Sequence, residues 1–264
     1  MTVHHISCGT MCPITVGRMV CHCLVVETDA GLVLVETGLG TADVAEASRR
    51  LRRSWRLLAR PGLDVADTAV RQLAALGFAP DDVRHIVVTH LDLDHAGGIP
   101  DFPRATVHVH RRELAAATAR ATRKARNRYV PAHLADPARW RTYEETGERW
   151  FGFDSVRALG DTDPEIVLVP LPGHTEGHTA VAVRDGARWL LHCGDAYFHR
   201  NTLVGARAPL ALAWFERRME TEAAPRRRNA ARLAELARDH GDEIVIFNAH
   251  DAAQFDEARG RAAG

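Results

Sequence analysis

Residues 89–98 read THLDLDHAGG, and within them His90, Asp92, Asp94 and His95 place four side chains able to bind a metal inside six residues. The preceding residues 85–89 (HIVVT) read as a short buried strand. Two carboxylates and two imidazoles crowded at the end of such a strand are costly, because like charges repel and a buried, unpaired charge loses its hydration. A pair of divalent cations removes that penalty. The alternating spacing lets His90 and Asp92 reach one centre while Asp94 and His95 reach a neighbouring one. Gly97 and Gly98 are expected to let the backbone turn tightly beneath the site.

Further along the chain, three more segments carry the same signal, each at an expected strand-to-loop junction. Residues 171–179 are LPGHTEGHT, with His174 between Pro-Gly and Thr-Glu-Gly. Residues 191–197 are LHCGDAY, placing Asp195 after a strand and a glycine, and residues 247–251 are FNAHD, placing His250 after the last expected strand. A single histidine at a strand end is more often structural than a ligand. The joint pattern carries the argument.

HLDLDH followed by a separated His, Asp and His resembles the metallo-β-lactamase superfamily, whose hallmark is HxHxDH with the same three later ligands. The resemblance runs from the opening hairpin to His250. It implies an α/β fold, the αββα four-layer sandwich, with a two-metal site at one edge of two facing sheets. It also implies that His90, Asp92 and His174 bind one metal and Asp94, His95 and His250 the second, with Asp195 bridging both. Two departures stand out. Asp92 occupies the second histidine position, and because a carboxylate is the harder ligand, iron or manganese joins zinc, the first candidate, as the expected metal. Glu36, in LVETG, stands where an aspartate is usual, a position that orients ligands.

For chemistry, the resemblance implies hydrolysis, with Asp94 orienting the attacking hydroxide and Tyr197 hydrogen-bonding the oxyanion as a tyrosine does in related lactonases, although the spacing matches imperfectly. His178 is expected to support His174, and His192 and His199 to face the cleft or solvent. Fourteen residues follow His250, too few for the glutathione-thioester domain of glyoxalase II, and no flavodoxin-like domain is evident. Lactone opening therefore leads. Thioester hydrolysis is the alternative, and an iron-dependent oxidase or oxygenase-like activity is the rival from another class. The partner expected is a small-molecule ester, lactone or thioester.

The remaining sequence sets the frame. A chain of 264 residues, 46% apolar and 26% charged, fits one domain over residues 1–264 with a sizeable core. Acidic and basic residues balance at 34 each, which argues against a nucleic-acid partner. No segment reads as a secretion signal or a membrane span, so a cytoplasmic location is expected, and the oligomeric state is left open, a homodimer included. Cys8, Cys12, Cys21, Cys23 and Cys193 then read as reduced, buried thiols, a structural metal site being the weaker alternative. Strands are expected at residues 20–27, 32–36, 106–110, 165–169, 179–184, 188–193 and 243–247. Helices are expected at 43–59, 64–76 (ending on Gly77), 111–125 and 226–240. Residues 126–152, with Tyr129, Trp140, Tyr143, Trp150, Phe151, Pro131 and Pro137, read as an aromatic insertion serving as a lid or an irregular cap.

Overall fold

The computed structural model describes residues 2–134, 136, 139–144, 148–159 and 165–262; Pro137 lies outside them. Val3–Met11 (β1), Met19–Thr28 (β2), Gly31–Val35 (β3), Val83–Val87 (β4), Thr106–His110 (β5) and Trp140–Tyr143 (β6) form one sheet in sequence order. It is antiparallel from β1 to β3 and parallel from β3 to β6. The second sheet contains Glu148–Trp150 (β7), Phe153–Ala158 (β8), Ile166–Pro170 (β9), Thr179–Asp185 (β10), Arg188–His192 (β11) and Ile244–Phe247 (β12), also as neighbours in sequence order. Only its β11–β12 pair is parallel.

Alternation along each strand builds the layers, because successive side chains point to opposite faces. Leu24, Val26, Val33, Val35 and Val87 of the first sheet meet Ile166, Leu168, Val181, Val183 and Phe247 of the second in a shared core. The intervening residues Cys23, Val25, Leu34 and Ile86 face outward. They pack there against Leu73 of Ala69–Ala75 and Ala117 of Arg111–Ala119. On the far side, Val167, Val169, Ala180 and Leu191 pack on Leu233 and Leu236 of Ala223–Asp239. Each fully buried valine, leucine or isoleucine contributes about 1.5–3 kcal/mol. The arrangement is the expected αββα sandwich.

Topology then delivers the ligand segments to one place. Strands β9, β11 and β12 run in the same direction, so the loops after them leave from one edge. Backbone bonds lock that edge: Thr179 N to Thr89 O at 2.9 Å joins the sheets, Cys193 N bonds Phe247 O at 2.8 Å, and His22 N bonds Ala249 O at 2.9 Å.

Several helical expectations change in detail. The helix expected over 43–59 is three short pieces, Thr41–Ala45 (α1), Ala47–Arg50 (α2) and Arg53–Ala59 (α3). Glu46 and Arg52 leave the helical region between them, and Asp43 turns inward to Arg50 and His133. The expected 64–76 helix is a 3₁₀ turn followed by Ala69–Ala75 (α4), which ends as anticipated on Gly77, at a φ of 89°. Leu93–Ala96 (α5) is a single turn inside the ligand cluster. The helix expected over 111–125 breaks at Arg120, which takes a left-handed φ of 43°, giving Arg111–Ala119 (α6) and Arg123–Arg128 (α7). Helices Leu210–Met219 (α8) and Ala252–Ala262 (α10), which flank Ala223–Asp239 (α9), had no clear sequence signal, and neither did β1.

Within 126–152, the described aromatic residues serve the sheets and their cores. Trp140 and Tyr143 lie in β6, Trp150 in β7, and Tyr129, Trp150 and Phe151 pack into the two outer cores, because this segment carries the chain from one sheet to the other. Cys8, Cys21, Cys23 and Cys193 are buried free thiols, whereas Cys12 is exposed. Among the described residues, no helix is long and apolar enough to cross a membrane.

The loop 171–178 approaches α6 so closely that a Cβ on Gly177 would sit 2.1 Å from Glu113 N. Gly177→Ala is therefore expected to lower stability by about 1–3 kcal/mol, as overpacking does, read as a lower urea midpoint at unchanged slope; an unchanged midpoint would contradict the close approach.

Candidate metal centre

All seven expected ligands come together. His90, Asp92, His174 and Asp195 form one group of potential ligand atoms, and Asp94, His95 and His250 form a second. Asp195 faces both. Its Oδ2 lies 3.3 Å from His174 Nε2 and 3.8 Å from His90 Nε2, while Oδ1 lies 3.1 Å from His250 Nε2 and 3.4 Å from His95 Nε2.

The other ring nitrogens show why these Nε2 atoms suit a cation. His95 Nδ1 is 2.6 Å from Glu36 Oε2, and His250 Nδ1 is 2.8 Å from the Val20 carbonyl. Both partners accept only, so Nδ1 carries a proton in each ring and Nε2 is the atom turned toward Asp195. Lone pair then faces lone pair unless a proton or a metal lies between. His90 Nε2, His95 Nε2 and Asp195 Oδ1 are buried without a hydrogen-bond partner. The donor set of imidazole and carboxylate fits divalent zinc, iron or manganese.

The electrostatics agree. Burial alone would raise the Asp195 carboxyl, but the facing His250, His95 and His174 outweigh it and hold it well below the usual range. Burial would lower His95, yet Asp195 and Glu36 lift it well above its ordinary value. His90 is pushed down to about 3 by burial and by His95.

Supporting residues fix the ligands. Glu36 orients His95 and accepts a hydrogen bond from Thr89 N, so one carboxylate ties the end of β4 to the cluster; it does so from a left-handed φ of 69°. Gly97 and Gly98 have ordinary φ values of −58° and −83°. Close approach, not turn geometry, requires glycine here: a Cβ on Gly97 would lie 2.5 Å from Asp43 Oδ2 and 2.7 Å from Gly38 O. His178 is buried beside the site with its ring edge-on to that of His174, and its Nε2 accepts from Asp195 N at 3.0 Å, so it also holds the Asp195 loop. His192 is buried and bonds His22 O, away from the cleft, while His199 accepts from Asn201 N.

Tyr197 does not face the centre. It is fully buried in the core beneath the second sheet, with its hydroxyl 3.4 Å from Gln254 Oε1. A turn at 193–196 follows β11, so strand alternation no longer governs the direction of residue 197. Its neighbour Phe198 packs instead against the His174 and His250 rings.

Two contributors had escaped the sequence reading. Buried Glu113 accepts from Leu91 N at 3.0 Å and from Gly177 N at 3.3 Å, tying both ligand loops to α6. Buried Arg128 places Nη1 at 3.1 and 3.0 Å from the two oxygens of Asp92. In sequence Glu113 reads as an ordinary charge on a helix and Arg128 as one of many arginines, at the start of the 126–152 segment.

Above the cluster lies a cavity of about 200 Å³. Asp92, Asp94, His174, Asp195 and His250 reach it, and Met11, Met19, Trp55, Phe198, Leu212 and Trp214 are among its apolar walls.

Residues 16–250 match the family model described as the metallo-beta-lactamase superfamily. The chain belongs to that superfamily. It is 43% identical over 261 residues to a probable metallo-hydrolase of Mycobacterium tuberculosis, covering 98% of this chain and 83% of that protein. It is 33% identical over 130 residues to an N-acyl homoserine lactonase of Rhizobium radiobacter, covering 47% of this chain and 44% of the relative. Among solved structures, an N-acyl homoserine lactone hydrolase with the product N-hexanoyl-L-homoserine bound at its catalytic metal centre superposes with a TM-score of 0.71. That match has 21% identity and covers 97% of each chain. As a superfamily member, the chain is thus related to metallo-hydrolases and to homoserine lactonases.

Glu113→Ala leaves two buried amides without an acceptor and is expected to lower stability by about 2–5 kcal/mol. Amide exchange should rise together at 90–92 and 174–178, whereas a rise in one loop alone would show that Glu113 does not couple them.

Proposed function

We propose that this chain is a binuclear metal-dependent hydrolase that opens a lactone or cleaves a related small ester bearing an apolar chain. The observation that carries this reading is Asp195, whose two carboxylate oxygens face two separate sets of imidazoles at the floor of an apolar cavity. His90, Asp92 and His174 would hold one ion, Asp94, His95 and His250 the other, with Asp195 shared. Two divalent ions at such a site make water nucleophilic at neutral pH and polarise the scissile carbonyl.

The chain's own residues then divide the work. Asp94 reaches the cavity and lies 3.9 Å from His250 Nε2. Burial, with Asp195 adding to it, raises its carboxyl above the ordinary value against the opposing pull of His95 and His250. By its position at the cavity, the Asp94 carboxylate is suited to accept a proton from the attacking water and return it to the departing alkoxide. The apolar walls hold the acyl chain and exclude bulk water. The cavity's only cationic side chain among the described residues, Arg128, is occupied by Asp92, which favours a neutral substrate such as a lactone over a polyanionic thioester.

Purified protein is expected to hold two ions, zinc first among them, and to release protons from N-acyl lactones. Turnover per unit concentration should rise by up to about fourfold for each added methylene until the cavity is full. Asp195→Ala should retain its fold by circular dichroism while losing both metal stoichiometry and turnover; full activity in that variant would refute the shared-carboxylate site. Iron with oxygen consumption, and no proton release on lactones, would favour the oxidase-like reading instead.

A further inference from the structure

Asp92 is the ligand position at which this chain departs from the family hallmark, and its surroundings differ from those of every other carboxylate in the cluster. Its Oδ2 lies 3.1 Å from His174 Nε2 and 3.6 Å from His90 Nε2, as a ligand of the first centre should. The same oxygen lies 3.0 Å from Arg128 Nη1, which also reaches Oδ1 at 3.1 Å. Arg128 is the last residue of α7, a helix capped by Thr122, and its Nη2 donates to the Met219 carbonyl at the end of α8. Its side chain is 3% exposed and that of Asp92 is 8% exposed, so the pair is fixed and largely shielded from water. Among the described residues, the ion pairs of Asp94 and Asp195 are with histidines alone.

We propose that Arg128 competes with the metal for Asp92 and so keeps the His90–Asp92–His174 centre weaker than the Asp94–His95–His250 centre, making the ions load in order. The inference rests on the binuclear reading above. Replacing an imidazole by aspartate adds one negative charge, which by itself would strengthen cation binding. The guanidinium returns that charge a few ångströms away, in a water-poor site where Coulomb interactions are weakly screened. It also engages the lone pairs of the oxygen that must turn to the ion. The second centre meets no such rival, so it fills first. The first centre holds the exchangeable ion.

The test is a competition titration of chelator-treated protein with zinc against a chromophoric chelator. Wild type is expected to bind two ions in steps about tenfold or more apart. His174→Ala should abolish the weaker step and leave the stronger, and His250→Ala should remove the stronger. Arg128→Met should tighten the weaker step by about 10–100-fold, the range over which groups around a ligand set tune metal affinity, with little change in the stronger. Arg128→Lys, retaining the charge, should preserve most of the gap. Two equal steps in wild type, or loss of the stronger step in His174→Ala, would overturn the inference, and these hold even if Arg128→Met does not fold. A weaker step that loosens in Arg128→Met would also overturn it, because Arg128 would then orient Asp92 for the ion. Failure of wild type to bind any zinc would instead remove the binuclear reading beneath it.

Discussion

The structure is organised around one electrostatic constraint: Asp195 sits buried with four imidazoles converging on its two oxygens. No packing argument explains such a gathering. Unpaired, these groups would destabilise a protein whose net stability is only a small difference between large terms. The fold accepts the burden because the four loops that deliver the ligands are each anchored by backbone hydrogen bonds at the strand ends. Glu36, Glu113 and His178 then remove the freedom left to the loops. The crowding is thus held in place by rigid neighbours, the condition under which a site can be prepared for a cation in advance.

Much of this was legible in the sequence, for identifiable reasons. Residues 20–27 and 32–36 are apolar runs rich in β-branched residues, as strands buried on both faces require, with Leu24 and Val26 in one core and Cys23 and Val25 in the other. The ligand cluster was legible because its residue types are expensive to bury together and recur at successive strand ends. The helices were less so. A run of arginines between apolar positions reads as one continuous amphipathic helix, whereas the breaks at Glu46, Arg52 and Arg120 are set by tertiary contacts such as the inward turn of Asp43.

Side-chain direction was the other failure. The resemblance to lactonases puts Tyr197 at the oxyanion, but the turn at 193–196 carries its side chain into the core instead. Glu113 and Arg128 show the converse. Their roles depend on which loop lies over their helix, and nothing local announces that. The aromatic stretch 126–152 stays ambiguous in sequence because aromatic residues serve equally well over a site and in the strands that carry the chain between two sheets.

Strand β2 also binds the last ligand loop: Val20 N and His22 N bond the carbonyls of His250 and Ala249, and His250 Nδ1 meets the Val20 carbonyl. Residues some 230 positions apart in the chain are thereby zipped together. Contacts of such separation form late and slowly, because the loop between them must first be closed. On the ribosome, His90, Asp92, Asp94 and His95 emerge 155 residues or more before His250. Until His250 emerges, the seam between β2 and the 247–251 loop cannot close, so the buried cluster at 90–95 lacks one of its walls for a long stretch of translation.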